Sequence, residues 1–286
     1  MLNLFKNIPA AFAALLFICS ISYSEIEVRL SIDKTKFLVA EPIIIGIEFF
    51  NRSPEKDSIN YYSYDEFYSY LKLTDNEGSK FIRSQLHAEF GNDIPFEVID
   101  PMESRSFQFD LLEYTGTLKL LTSGRLQRMC LSEGSYSLLY DGAEASNSIT
   151  FRISEPAGDE SAVLEKLISA YSLVTDSDKK SKEQARLFFQ IASENEASVY
   201  NELSVYMYNC LSGHDTTDLG LNSAFVEKYP DSYFLKEVFS NLCTTIYLRS
   251  GEKGIEFYLK EIALKYTNNR VFALAKEMQK NKDYLK

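Results

Sequence analysis

The hydrophobic period of this chain changes once, from two to 3.6, and the change falls near residues 154–160. Before it, Ile26, Val28, Leu30 and Ile32 alternate with Glu27, Arg29, Ser31 and Asp33. Successive strand residues point to opposite faces, so this pattern predicts a half-buried strand. Ile43, Ile45, Ile47 and Phe49 share one face of a second strand, which opens at Pro42, where a missing N–H costs least. Tyr70 to Leu73 and Lys80 to Ser84 flank Asp75-Asn76-Glu77-Gly78, a turn in which glycine supplies positive φ. Phe107, Phe109 and Leu111 alternate again. Gly134 to Tyr140 and Ser148 to Ile153 lie on either side of a turn at Asp141-Gly142. Many short strands separated by turns predict an antiparallel β-sandwich over residues 25–155.

After Pro156-Ala157-Gly158 the pattern is helical. Asp159 and Glu160 suit a helix N-terminus, and Val163, Leu164, Leu167, Ile168 and Tyr171 keep helical spacing. Charge shifts with period: residues 25–155 hold 22 acidic and 13 basic side chains, residues 156–286 hold 19 and 16. A repeat runs through this half. Phe189 to Asn195 aligns with Phe225 to Asp231 and with Ile262 to Asn268, at offsets of 36 and 37 residues. Each copy ends one helix in a polar turn and precedes another, and Tyr229-Pro230-Asp231-Ser232 reads as a helix stop followed by an N-cap. Two domains follow, a β-sandwich at 25–155 and an all-α array of helical hairpins at 156–286.

Both halves resemble known families. Phe37 to Asn51 resembles the "aromatic, small, Gly-Glu-Pro, apolar strand, Asn" signature of bacterial immunoglobulin-like domains, among them macroglobulin-type domains and a proteinase-inhibitor fold. Ala40-Glu41-Pro42 stands where Gly-Glu-Pro is usual, and Gly134-Ser135-Tyr136 resembles the late "Gly-x-Tyr" strand of those folds. The helical units resemble tetratricopeptide-like repeats, in which stacked helix pairs expose a concave surface. Gly251 to Gly254 looks like the turn between two helices of such a unit. The resemblance implies an Ig-like sandwich followed by TPR-like hairpins. It carries no inhibitory loop and no ligand residue.

The first residues read as an address. Lys6 is the only charge before Glu25, and the apolar run from Ala10 to Cys19 is too short to span a bilayer as a helix. Ser22-Tyr23-Ser24 places small residues where a signal peptidase cuts, so residues 1–24 are expected to be a cleaved export signal. The rival is a lipid anchor at Cys19, which Ile18 disfavours by standing where a small residue is required. Removing 24 of the 286 residues leaves a mature chain of 262, periplasmic or extracellular. Its net charge of −12, from 29 basic and 41 acidic residues, repels nucleic acid and anionic lipid.

Familiar chemistries leave no trace. The two histidines, His87 and His214, sit in no zinc-binding spacing, and there is no phosphate loop, nucleophile elbow or calcium loop. Ser212, His214 and Asp215 lie too close along the chain for a triad. No catalytic residue, metal or cofactor is expected. Three cysteines remain in the mature chain, of which Cys210 and Cys243 could pair across neighbouring helices. The one unusual surface candidate is Tyr61, Tyr62, Tyr64, Tyr68 and Tyr70, whose rings could hold a peptide or a glycan. Against it stands the preference of tyrosine for strands and sandwich cores. The expected function is that of an exported, non-enzymatic adaptor with a protein partner. The alternatives are a secreted proteinase inhibitor and a carbohydrate-binding protein that uses the tyrosine-rich segment.

Overall fold

In the computed structural model the alternating segments are strands. It describes residues 26–59, 70–78, 80–81, 97–114, 121–122, 127–128, 131–141, 146–173, 178–212, 218–267 and 269–281. Strand β1 (Ile26–Ile32) is followed by β2 (Lys36–Leu38) and β3 (Ile44–Asn51), with β4 (Asp57–Ile59) after them. Next come β5 (Leu71–Asp75), β6 (Lys80–Phe81), β7 (Glu97–Ile99) and β8 (Ser104–Asp110). The short helix α1 (Leu111–Tyr114) precedes β9 (Leu121–Thr122), β10 (Gln127–Arg128), β11 (Gly134–Tyr140) and β12 (Ser148–Ser154).

Beside two-stranded ladders of β4 with β7 and of β9 with β10, two larger sheets carry most of the β region. One has the order β1-β3-β8 and is antiparallel, with Val28 opposite Phe49 and Ile47 opposite Phe107. The other has the order β2-β12-β11-β5-β6. The β5–β6 hairpin forms at the expected turn, where Gly78 has φ 76°. In one respect the second sheet departs from the antiparallel expectation: β2 runs parallel to β12, with Phe37 beside Ile153. The chain reaches β12 only after passing through the rest of the region, so no hairpin constrains the direction of this pair.

Both sheets contribute to one core. Val28, Ile45, Ile47 and Phe109 come from the first, and Leu73, Leu138, Phe151 and Ile153 from the second. Phe49 meets Tyr140 edge to face at 5.8 Å, a favoured aromatic geometry. At the far end of β3, Asn51 is fully buried. Its amide donates to the carbonyls of Glu55 at 2.8 Å and Ile99 at 3.0 Å, and its side-chain oxygen accepts from Ser53 N–H at 2.8 Å. One side chain thus completes the backbone bonding of two loops, which gives a physical reason for an asparagine at the end of the apolar strand.

The change from strand to helix falls between Ser154 and Asp159. Helices α2 (Asp159–Ser172), α3 (Asp178–Glu194), α4 (Asn201–Leu211), α5 (Leu219–Lys228), α6 (Leu235–Lys265) and α7 (Arg270–Asn281) share a second core around Phe188, Leu203, Phe225, Phe239 and Leu259. The three repeat copies coincide with the ends of α3, α5 and α6. Gly251, at φ 67° and ψ −173°, breaks α6 where an inter-helix turn is expected. The start of α6 differs from the sequence reading: it begins at Leu235, and the Ser232 hydroxyl accepts from Phe234 N–H at 3.1 Å inside the turn. Between α4 and α5, buried Asn209 and Asn222 exchange side-chain hydrogen bonds of 2.9 and 2.7 Å. Among the described residues no helix is long and apolar enough to cross a membrane.

Replacing Asn51 by alanine leaves buried backbone groups of two loops without partners. Asn51→Ala is expected to lower unfolding free energy by about 3 kcal/mol in urea titration; a loss below about 1 kcal/mol would contradict this role.

Candidate functional site

The two cores meet at a turn. Glu41 N–H donates to Leu38 O at 3.1 Å, closing a β-turn with Val39 and Ala40 at its centre. Ala40 has φ 65°, in the left-handed region where glycine is the residue of least strain. In this chain the methyl group is used: Ala40 is buried within the helical core rather than the β core. Tyr200, at the start of α4, donates its hydroxyl to the Val39 carbonyl at 2.7 Å. Glu41 is buried, accepts from Leu38 N–H at 2.8 Å and pairs with Lys34, so the turn is held on both flanks.

Docked in this way, the outer face of β1, β3 and β8 lies against the turn between α5 and α6. Two openings of about 460 and 570 Å³ line the junction. They share Ser31, Gly46, Gln108 and Tyr233 and so form one cleft. Gly46 makes its floor: a Cβ there would stand 2.4 Å from Ser31 Oγ. A glycine in mid-strand weakens the strand and marks a close approach.

The polar groups of the cleft are arranged unevenly. On the larger side Glu202 is half-buried, and burial pushes its carboxyl pKa up; the Ser232 hydroxyl and the charges of Lys34 and Lys228 oppose the shift, while Asp33 adds to it. Lys34 is engaged by Glu41, and Lys228 donates to the Glu196 carbonyl. On the smaller side Arg270, the first residue of α7, donates from Nη1 to Ser232 O at 2.7 Å and to Asp231 O at 3.4 Å. It has no ion-pair partner among the described residues. Glu48, which lines the same opening, is paired with Arg29 at 3.6 Å. No group of three or more His, Cys, Asp or Glu side chains among the described residues could hold a metal ion.

Among the described residues that line the cleft, none is a sequence-predicted candidate. Tyr61, Tyr62, Tyr64 and Tyr68 fall outside the described residues, as do His87, His214, Cys130 and the leader with Cys19. Tyr70 is half-buried against the β core, its ring 5.8 Å from that of Tyr140. Cys243 is a buried free thiol in the middle of α6, and Cys210 is exposed at the end of α4. The cleft residues carry little signal in the sequence: only Gly46, interrupting an apolar strand, stands out, while Glu202, Tyr233 and Arg270 read as ordinary helix and turn residues. Neither a family model nor a curated protein matches the chain.

Two outcomes follow from these environments. A carboxyl whose folded pKa lies above its unfolded one favours folding when protonated, and its ionised form costs stability as pH rises through that window. Glu202→Gln is therefore expected to stabilise the protein at pH 7, by a margin that shrinks as pH falls from the raised folded value towards the ordinary glutamate one; urea midpoints at several pH values measure this. Burial pushes the Cys243 thiol far above its usual pKa, so iodoacetamide at pH 8 should modify it only after unfolding. Labelling of Cys243 in the native protein would contradict its burial.

Proposed function

We propose that this protein is an exported, non-enzymatic adaptor of the cell envelope. In this reading it is an Ig-like sandwich (residues 25–155) followed by TPR-like hairpins (residues 156–286), and it contacts a protein partner through the cleft between them. The observation that carries the proposal is the junction itself. Tyr200 and the Ala40 turn hold the two regions together, yet beside this contact an open polar groove with a glycine floor remains. Residues at a domain interface that are fixed but left uncovered suit recognition of a surface or an extended segment. The short leader with its small-residue cleavage site supports export. The acidic surface favours a partner that is neither nucleic acid nor anionic membrane.

Site-specific photo-crosslinking tests this. A benzophenone side chain at Ser31, in the cleft, should trap a discrete protein from the native envelope, whereas the same group at exposed Lys253 on α6 should not. Trapping of the same protein at equal yield from both positions, or from neither, would overturn the assignment.

A further inference from the structure

Strand β8 is an outer strand of its sheet among the described residues. Two bonds fix which of its residues face β3: Leu111 N–H donates to Ile43 O at 2.9 Å, and Asn51 N–H donates to Glu103 O at 3.0 Å. Antiparallel pairs alternate between those that exchange backbone bonds and those that do not. With Phe109 opposite Ile45 and Phe107 opposite Ile47, the odd-numbered residues of β8 exchange bonds with β3. Ser106 and Gln108 therefore turn their N–H and C=O groups off the open edge. Neither residue makes another hydrogen bond among the described residues. Both have exposed side chains on the outer face, where they line the smaller opening together with Arg270.

We propose that this edge takes up an extended peptide segment as an added strand, and that an acidic side chain of that segment pairs with Arg270. The proposal rests on the reading of the cleft as a contact surface and names what it takes. Four outward backbone groups, two on Ser106 and two on Gln108, match the bonding demand of a strand. Side chains of an added strand that neighbour Ser106 and Gln108 project to the same face of the sheet, the side on which Arg270 stands. The guanidinium is already oriented by its Nη1 bonds to the α5–α6 turn, and Nε and Nη2 make no bond among the described residues. A planar guanidinium held in this way favours a carboxylate over other groups. Neither nearby acid fills that role: Glu48 pairs with Arg29, and Glu237, whose carboxyl feels the Arg270 charge, forms no ion pair with it among the described residues.

The test uses the mature chain, labelled with ¹⁵N, and pooled heptapeptides that are N-acetylated, C-amidated and alternate threonine with valine around a central Glu, Gln or Lys. With the Glu pool, the amides of Ser106 and Gln108 should exchange at least about tenfold more slowly, while that of Phe107, already bonded to β3, should not change. The Lys pool should bind about tenfold more weakly than the Glu pool, and Arg270→Gln should abolish that difference. Gln108→Pro removes an N–H that points off the edge, a position where proline is tolerated, so it should abolish binding without loss of stability. The proposal fails if neither amide is protected, if the Glu and Lys pools bind alike, or if the same protection arises without peptide by self-association. Crosslinking from Ser31 that persists alongside any of these failures would leave the cleft as a contact surface and remove only the added strand.

Discussion

The arrangement of this protein depends on one turn placed inside the wrong core. Leu38 to Glu41 belongs by sequence to the β region, between β2 and β3, yet Ala40 is buried among helical side chains and Val39 receives the Tyr200 hydroxyl. The turn needs a positive φ at Ala40, and alanine meets that need at a cost of about 1 kcal/mol relative to glycine. Burial of one methyl group offsets a similar amount. A residue that would be a small defect in an isolated sheet becomes neutral once the helices are docked. Buried Glu41, paired with the exposed Lys34 and accepting from Leu38 N–H, holds the turn on its other flank.

The cleft follows from that docking. The outer face of β1-β3-β8 would be an ordinary solvated sheet surface if the helices lay elsewhere. With the α5–α6 turn beside it, Ser31, Gly46 and Gln108 become the floor of a groove, and Tyr233 and Arg270 become its wall. The cleft is thus a product of tertiary placement, with its residues drawn from β1, β3, β8 and the beginnings of two helices.

That origin explains what could be read from the sequence. The elements were legible because their signals are local: alternation at Ile26–Ile32 and Ile44–Asn51, a hairpin around Gly78, and a repeat whose copies end α3, α5 and α6. Asn51 is legible as the polar end of an apolar strand, but its bonds are not, since Ile99 lies 48 positions away. The parallel pairing of β2 with β12 was hidden for the same reason. Arg270 could not be distinguished from any other helix-start arginine, because its partners Asp231 and Ser232 are close only in space. Of the tyrosines in residues 61–70, Tyr70 packs against the β core, and the other four lie outside the described residues.

The Asn209–Asn222 pair carries a lesson about how such a chain can change over generations. Each amide satisfies the other inside an apolar helix interface, so either position altered alone strands a polar group in the interior. Replacing both with apolar residues of similar shape costs little by the same reasoning. The two sites are therefore locked by sign epistasis. A lineage leaves this state only by a coupled double step, and descendants should hold either two asparagines or none.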